Sequence, residues 1–346
     1  MFGIRTCKWK VNILRSIVIT AAGGPEVLQL QARSKPLYTA EQILVEIKAT
    51  AINRADTLQR KGKYPAPADV VQDVLGLEYA GVVAAVGANV NAGDFKTGDR
   101  VFGLAPAGTY QEYIAVDAST VMHIPANLSY VEAAAIPEAY ITAYDAICLQ
   151  AELKVHETLL VSAAASGVGI AAAQIARAMN VKVIGTVRQQ AKAERIKALF
   201  DHVLTIEGGQ FADAVNAVGP NPCVDVVLEL VGGNYVEEDL KCVRRLGRIM
   251  VVGLLAGAKC ELNLAALLTK RITVRGTSLR SRTNDEKAKV TRAFEANILP
   301  YFVSGSIKPI IEKVFPLEQA AAAHTLMEAD QNIGKIVLNL ELNSNG

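Results

Sequence analysis

The sequence predicts an α/β chain, with a parallel sheet covered by helices on both faces beside a β-rich unit. Residues 16–116 carry short, alternating apolar runs broken by Gly and Pro. From about Tyr130 the texture changes to apolar strands separated by helical segments, the pattern of βαβ units. At 346 residues the chain exceeds what one hydrophobic core usually reaches, so two units are expected.

In chain order, residues 16–20 read as a strand and Gly23-Gly24-Pro25 as a turn. Strands are expected at 42–49 and 76–86, the latter closed by Gly87, with 96–102 and 109–116 continuing the pattern. Pro65 and Pro67 mark an irregular loop. In the second part 158–163 is an apolar strand, 168–179 an Ala-rich helix, 181–187 a strand and 191–200 a helix. Strands follow at 224–230, 248–253 and 272–276. The tail reads helix 285–296, strand 310–315, helix 317–327 and strand 335–340. Periodicity does not say which unit owns the tail.

Composition narrows the function. The chain is 51% apolar and 20% charged, which describes a folded protein rather than a disordered one. A net charge of +2 gives no electrostatic case for nucleic acid or a membrane surface as the main partner. The uncharged stretch 158–176 is long enough to span a bilayer but contains Ser162, Ser166, Gly167, Gly169 and Gln174 and changes period midway, so it is not read as a span. Cys7, Cys148, Cys223, Cys242 and Cys260 form no CxxC pair, which excludes a visible zinc lobe or redox dithiol and suits a reducing compartment. Residues 1–15 are basic through Arg5, Lys8, Lys10 and Arg15, lack an apolar signal core and are Ser-poor. A disordered or partly ordered extension is expected there, and the cytoplasm as compartment.

Strand 158–163 runs through Ala-Ala-Ser-Gly-Val-Gly into a helix. A tight turn of small residues lets backbone N–H groups approach a pyrophosphate, and the helix N-terminus adds free donors and its dipole. Ala163, Ser166 and Gly169 are read on a GxGxxG-type fingerprint in which two of the three glycines are replaced, with Gly167 and Val168 between them. Other α/β proteins also use such turns; its place inside a βαβ unit is what points to a dinucleotide. NAD sites usually put an acid at the end of the next strand, for the ribose hydroxyls. Here that segment is Gly185-Thr186-Val187-Arg188. Arg188 suits a 2′-phosphate, hence NADPH, with a solvated surface Arg as the alternative. Lys192 could assist Arg188, with an exposed helix residue as the commoner reading at that spacing.

Several segments carry a family resemblance: Ala51-Ile52-Asn53-Arg54-Ala55-Asp56, Gln59-Arg60-Lys61-Gly62-Lys63-Tyr64-Pro65, Gly76-Leu77-Glu78, Ile136-Pro137-Glu138-Ala139, Leu279-Arg280-Ser281-Arg282 and Asn332-Ile333-Gly334-Lys335. With them the chain resembles, over about 16–340, the zeta-crystallin-like quinone oxidoreductases of the medium-chain dehydrogenase/reductase superfamily. The nearest subgroup is that of the human tumour-suppressor-inducible quinone oxidoreductase. The resemblance implies a GroES-like catalytic domain (1–135 with 279–346) into which a Rossmann domain (136–278) is inserted. It also implies a homodimer or homotetramer joined through the Rossmann domains.

Zinc-dependent members carry a His where this chain has Leu77, a Cys near the Asn53 region, and a four-Cys lobe that is absent here. His123, His156, His202 and His324 are scattered and read as structural or exposed. No metal is therefore expected. Without a Lewis acid, electron-poor acceptors such as quinones are favoured over alcohols.

By resemblance, Asn53 and Tyr64 line the acceptor side, Asn53 as a donor to a quinone oxygen and Tyr64 as a stacking or gating ring. A turn-forming Asn and a packing Tyr are the bland alternatives. Thr142 is placed near the nicotinamide. Gly253, Leu254, Ser278 and Leu279 are placed as backbone contacts to the cofactor. Lys335 either reaches the cofactor or is an ordinary strand lysine. The expected activity is hydride transfer from NADPH to a quinone. The alternatives are an enoyl-thioester or alkenal/enone reductase, and a non-catalytic NADPH-binding protein of crystallin type.

Overall fold

A computed structural model describes residues 13–91 and 93–342; Cys7 and most of the basic segment lie outside them. Six strands form one all-parallel sheet, ordered His202–Thr205, Lys182–Val187, Thr158–Val161, Val224–Glu229, Val243–Val251 and Thr273–Gly276. Numbered along the chain, that order is 3-2-1-4-5-6, the Rossmann arrangement, and its direction of winding reverses between Thr158–Val161 and Val224–Glu229. Leu159, Val161, Val226 and Leu228 are completely buried, as the apolar runs require of a sheet covered on both faces.

Helix Gly167–Ala178 follows the first of these strands. Ala is the best helix former, and Ala171, Ala172, Ala173 and Ala176 let this helix pack closely, with all four buried. His202–Thr205 was not expected from the sequence; at four residues with exposed ends it carries almost no period. The fifth strand starts at Val243, earlier than expected, with an irregular register between Val224 and Val226 of its neighbour.

The second sheet has seven strands. Ile311–Pro316, Lys335–Asn339, Gln42–Ile52, Glu78–Val86, Arg100–Leu104 and Val121–His123 lie in that order, and Tyr113–Asp117 also pairs with Gln42–Ile52. The tail strand Lys335–Asn339 runs antiparallel to Gln42–Ile52, with Ile336 opposite Ile52. The tail thus completes the β-rich sheet, and the Rossmann sheet is inserted between its two contributions. Strand Leu28–Ser34, also unexpected, pairs with Ile13–Ile19 as a two-stranded ribbon and is mostly exposed.

From Pro137 to Gln150 the chain is helical, with wide i→i+5 turns over Pro137–Ile141 and Asp145–Gln150. Such turns often mark functional positions. Among the described residues no helix is long and apolar enough to cross a membrane.

Candidate cofactor and acceptor cleft

The carboxyl edge of the parallel sheet collects most of the residues singled out from the sequence. Ala163 and Ser166 follow the first strand, Arg188 the second, Gly253 and Leu254 the fifth, and Ser278 and Leu279 the sixth. In open α/β sheets ligands bind outside this edge, at the reversal of winding.

Ala163 adopts φ +46°, a left-handed conformation that costs a residue with a Cβ about 1–2 kcal/mol. The turn therefore keeps a glycine-like backbone although the glycine is gone. Ser166 caps the helix by accepting a hydrogen bond from the Gly169 N–H at 3.1 Å. That leaves the N–H groups of Gly167 and Val168 without intrahelical acceptors. A Cβ on Gly169 would lie 2.8 Å from the carbonyl oxygens of both Ala163 and Ala164. Only glycine lets the helix start this close to the turn. The cradle fits a pyrophosphate, by small residues and free donors at a 12-residue helix.

The tail closes over this turn. The Gly334 N–H donates to the Ala165 carbonyl at 2.9 Å, bridging Gly334 to Ser166. A Cβ on Gly167 would lie 2.8 Å from Lys335 Cδ, so the lysine stem passes directly over the helix start. Lys335 Nζ then donates to Asn53 Oδ1 at 2.5 Å, Glu78 Oε1 at 2.7 Å and the Ile52 carbonyl at 3.3 Å. Asn53 Nδ2 donates to Glu78 Oε1 at 2.8 Å, and the Glu138 N–H to Glu78 Oε2 at 2.8 Å. Lys335 and Glu78 are both buried. Lys335 is thus no ordinary strand lysine.

In this knot the Asn53 amide is engaged through Oδ1 by Lys335 and through Nδ2 by Glu78, with a longer 3.4 Å donation from Nδ2 to the Ala51 carbonyl. The Asn53 backbone N–H donates to Asp56 Oδ2 at 2.7 Å at the start of helix Arg54–Arg60. Asp56 is fully buried, and burial pushes its carboxyl up to about 6. Burial, and then the neighbouring Glu78 charge, push the Glu138 carboxyl up to about 8.

Tyr64 is half-buried, with the Arg280 guanidinium over its ring at 5.0 Å from the centroid. Arg280 donates through Nε to the Pro106 carbonyl at 2.9 Å and through Nη2 to Gln59 Oε1 at 2.5 Å. Its Nη1 is buried without a partner. The segment is held in place by Arg282, which grips the buried Asp145 carboxylate with two bonds of 2.9 and 2.7 Å. Ser278 is exposed, the Leu279 side chain belongs to the core, Leu254 points into solvent and Thr142 is half-buried. Among the described residues no side-chain hydrogen bond joins these four to Lys335, Asn53 or Glu78.

At the ribose end Arg188 and Lys192 converge on one carboxylate from the tail. Arg188 Nη2 lies 2.5 Å from Asp330 Oδ2, and Lys192 Nζ 2.6 Å from Asp330 Oδ1. The exposed-helix reading of Lys192 is wrong: it is only 9% exposed, because it leans into this pair.

Leu77 is buried, and among the described residues no group of three or more His, Cys, Asp or Glu side chains could hold a metal ion. His324 is buried between Arg60 and Tyr110, at 3.1 Å from each, and burial followed by the Arg60 charge lowers it to about 3.

Two family models match the chain, an alcohol dehydrogenase GroES-like domain over residues 39–126 and a zinc-binding dehydrogenase over residues 167–296. The quinone oxidoreductase of Lama guanicoe is 33% identical over 339 residues, covering 95% of this chain and 98% of its own. The chain belongs to the medium-chain dehydrogenase/reductase family. The human quinone oxidoreductase is 31% identical with the same coverage. The Escherichia coli quinone oxidoreductase, solved as a complex with NADPH, superposes with TM-score 0.82 at 30% identity, covering 94% of this chain and 99% of that one.

This medium-chain reductase carries site residues that sequence reasoning did not single out. Glu78, Glu138 and Arg280 stood inside the family segments, and that membership was the usable signal. Asp330 had none.

Proposed function

We propose that the chain transfers a hydride from NADPH to a quinone without a bound metal. One observation carries the reading. Tail residues 330–335 touch the Arg188–Lys192 pair, the phosphate turn and the Asn53–Glu78 knot in succession. Three separately read ligand positions are thereby linked through one short stretch of the tail, which supports reading them as parts of one dinucleotide site.

In this reading the N–H groups of Gly167 and Val168 hold the pyrophosphate, and Arg188 with Lys192 holds the 2′-phosphate. Bound NADPH supplies the hydride; the protein supplies position and electrostatics. Asn53, fixed by Lys335 and Glu78, shapes the wall where the acceptor meets the reduced ring. The stacked Tyr64–Arg280 pair offers a planar acceptor an aromatic face and a guanidinium with an unused N–H. A guanidinium near the acceptor oxygen favours the negative charge that arrives with the hydride. Leu77 and the engaged Asn53 amide leave the zinc positions of relatives without metal donors.

The sixth strand, Thr273–Gly276, pairs on one side only and is exposed throughout. Leu264 and Leu268, on the helix that precedes it, are 69% and 76% exposed. An exposed edge strand is a template for pairing, and a homodimer formed there fits this chain. Cys148, Cys223, Cys242 and Cys260 are unpaired, in keeping with the cytoplasm.

A steady-state screen with NADPH against quinones, enones and enoyl thioesters, before and after prolonged chelation, tests the reading. Quinone turnover that survives chelation supports it. An enoyl thioester consumed much faster than any quinone, or activity lost with stoichiometric zinc, overturns it. Tyr64→Ala should mainly raise the quinone KM, and Asn53→Ala should mainly lower kcat.

A further inference from the structure

The second strand of the parallel sheet ends in Gly185-Thr186-Val187-Arg188 and carries no acid. A carboxylate nevertheless stands there, brought by the tail. Asp330 follows helix Ala320–Glu328 and adopts φ +53°. One carboxylate oxygen meets Arg188 and the other Lys192. Its backbone carbonyl also accepts from the Gln189 amide at 3.4 Å. Burial works against its ionisation, but the hydrogen bond and charge of Lys192, then those of Arg188, hold the carboxyl below its ordinary value. The site therefore contains two cations and one anion.

We propose that Asp330 is the residue that sets coenzyme preference, by accepting a hydrogen bond from a ribose 2′-hydroxyl and by competing with a 2′-phosphate for Arg188 and Lys192. The inference rests on the nucleotide reading above and sharpens it. A ribose hydroxyl is a neutral donor, and an ionised carboxylate is the acceptor that NAD sites provide at this position. A 2′-phosphate is an anion seeking the same two cations. With Asp330 in place the three side chains sum to one positive charge, and with an amide in its place they sum to two. The phosphate must either push Asp330 off its partners or share them with it. Only the first of these frees Lys192, whose ammonium is otherwise almost enclosed. Because Asp330 belongs to the tail and its partners to the inserted sheet, the same contact also ties the two units together across the cleft. The 2′-phosphate is then expected to loosen that tie, and the 2′-hydroxyl to leave it intact.

The test is direct binding of NADPH and NADH to the full chain, followed by nucleotide fluorescence or equilibrium dialysis, with parent, Asp330→Asn and Asp330→Ser. Both substitutions remove the charge, and the second also removes the amide. Losing a charged competitor should tighten NADPH roughly tenfold, and losing a charged acceptor should weaken NADH roughly five- to tenfold, at about 1–1.5 kcal/mol each. The ratio of the two Kd values then moves about fiftyfold or more toward NADPH. Thermal melts of the unliganded proteins check that both variants fold. A ratio unchanged within twofold, or equal changes for both nucleotides, overturns the inference and leaves the nucleotide reading standing. A parent chain that binds neither nucleotide overturns both.

Discussion

Replacing Lys335 by Met isolates what holds the acceptor end of the cleft together. Methionine keeps an unbranched stem over Gly167 but removes the ammonium that Glu78, Asn53 and the Ile52 carbonyl share. Glu78 is completely buried. It would keep the Asn53 amide and the Glu138 N–H as donors, but no opposite charge. Breaking a buried pair by removing one partner costs about 3–5 kcal/mol, mostly as the penalty of the charge left behind. Restoring neutrality with Glu78→Gln in the same chain should recover a large part of the loss. Urea unfolding followed by circular dichroism, on parent, both single variants and the double variant, measures the coupling. A double variant equal to the sum of the singles would falsify this account. The knot would then be packing rather than a compensated charge.

Other outcomes follow from the same contacts. Ala163→Gly should stabilise the chain by roughly 0.5–1 kcal/mol, since it relieves a left-handed Ala, with the unfolding midpoint as readout. Gly169→Ala should do the opposite and abolish nucleotide binding, because its Cβ has no room against the Ala163 and Ala164 carbonyls; retained NADPH affinity would refute the close-approach argument. The buried carboxyls of Glu229 and Asp239 lack cationic partners, and both are raised, Glu229 by burial and Asp239 by burial and then by the Glu229 charge. Groups raised on folding contribute stability below the ordinary carboxylate range and lose it as pH climbs through their folded values. The contribution of this pair to the unfolding free energy should therefore fall as pH rises from acid, and Asp239→Asn should gain stability relative to the parent as pH rises, measured by urea unfolding across pH. Leu268→Asp should shift any dimer toward monomer in sedimentation velocity, and an unchanged profile would place the interface elsewhere.

The four histidines were read as structural or exposed, and the sequence did not say which of them is structural. His324 lies in the core because Arg60 and Tyr110 satisfy both ring nitrogens. Asn53 was singled out from the sequence, while its bonds to Lys335 and Glu78 were not. A side chain's identity is local, but whether its hydrogen bonds are spent depends on neighbours that the chain brings from afar.

Local chemistry alone determined the parallel sheet, the small-residue turn before helix Gly167–Ala178 and the family segments around Asn53 and Leu279. Apolar period, turn residues and helix start act over a few contiguous positions, so they are written in contiguous sequence. The tertiary structure decided which sheet the tail joins, and with it the contacts that Asp330 and Lys335 make. Arg188 meets Asp330 across 142 positions and Lys335 meets Glu78 across 257. Those pairs exist because the last strand docks antiparallel on Gln42–Ile52 in one register, with Ile336 opposite Ile52. Side chains alternate along a strand, so a shift of one residue would turn Lys335 away from Glu78 and leave the same sequence without this site.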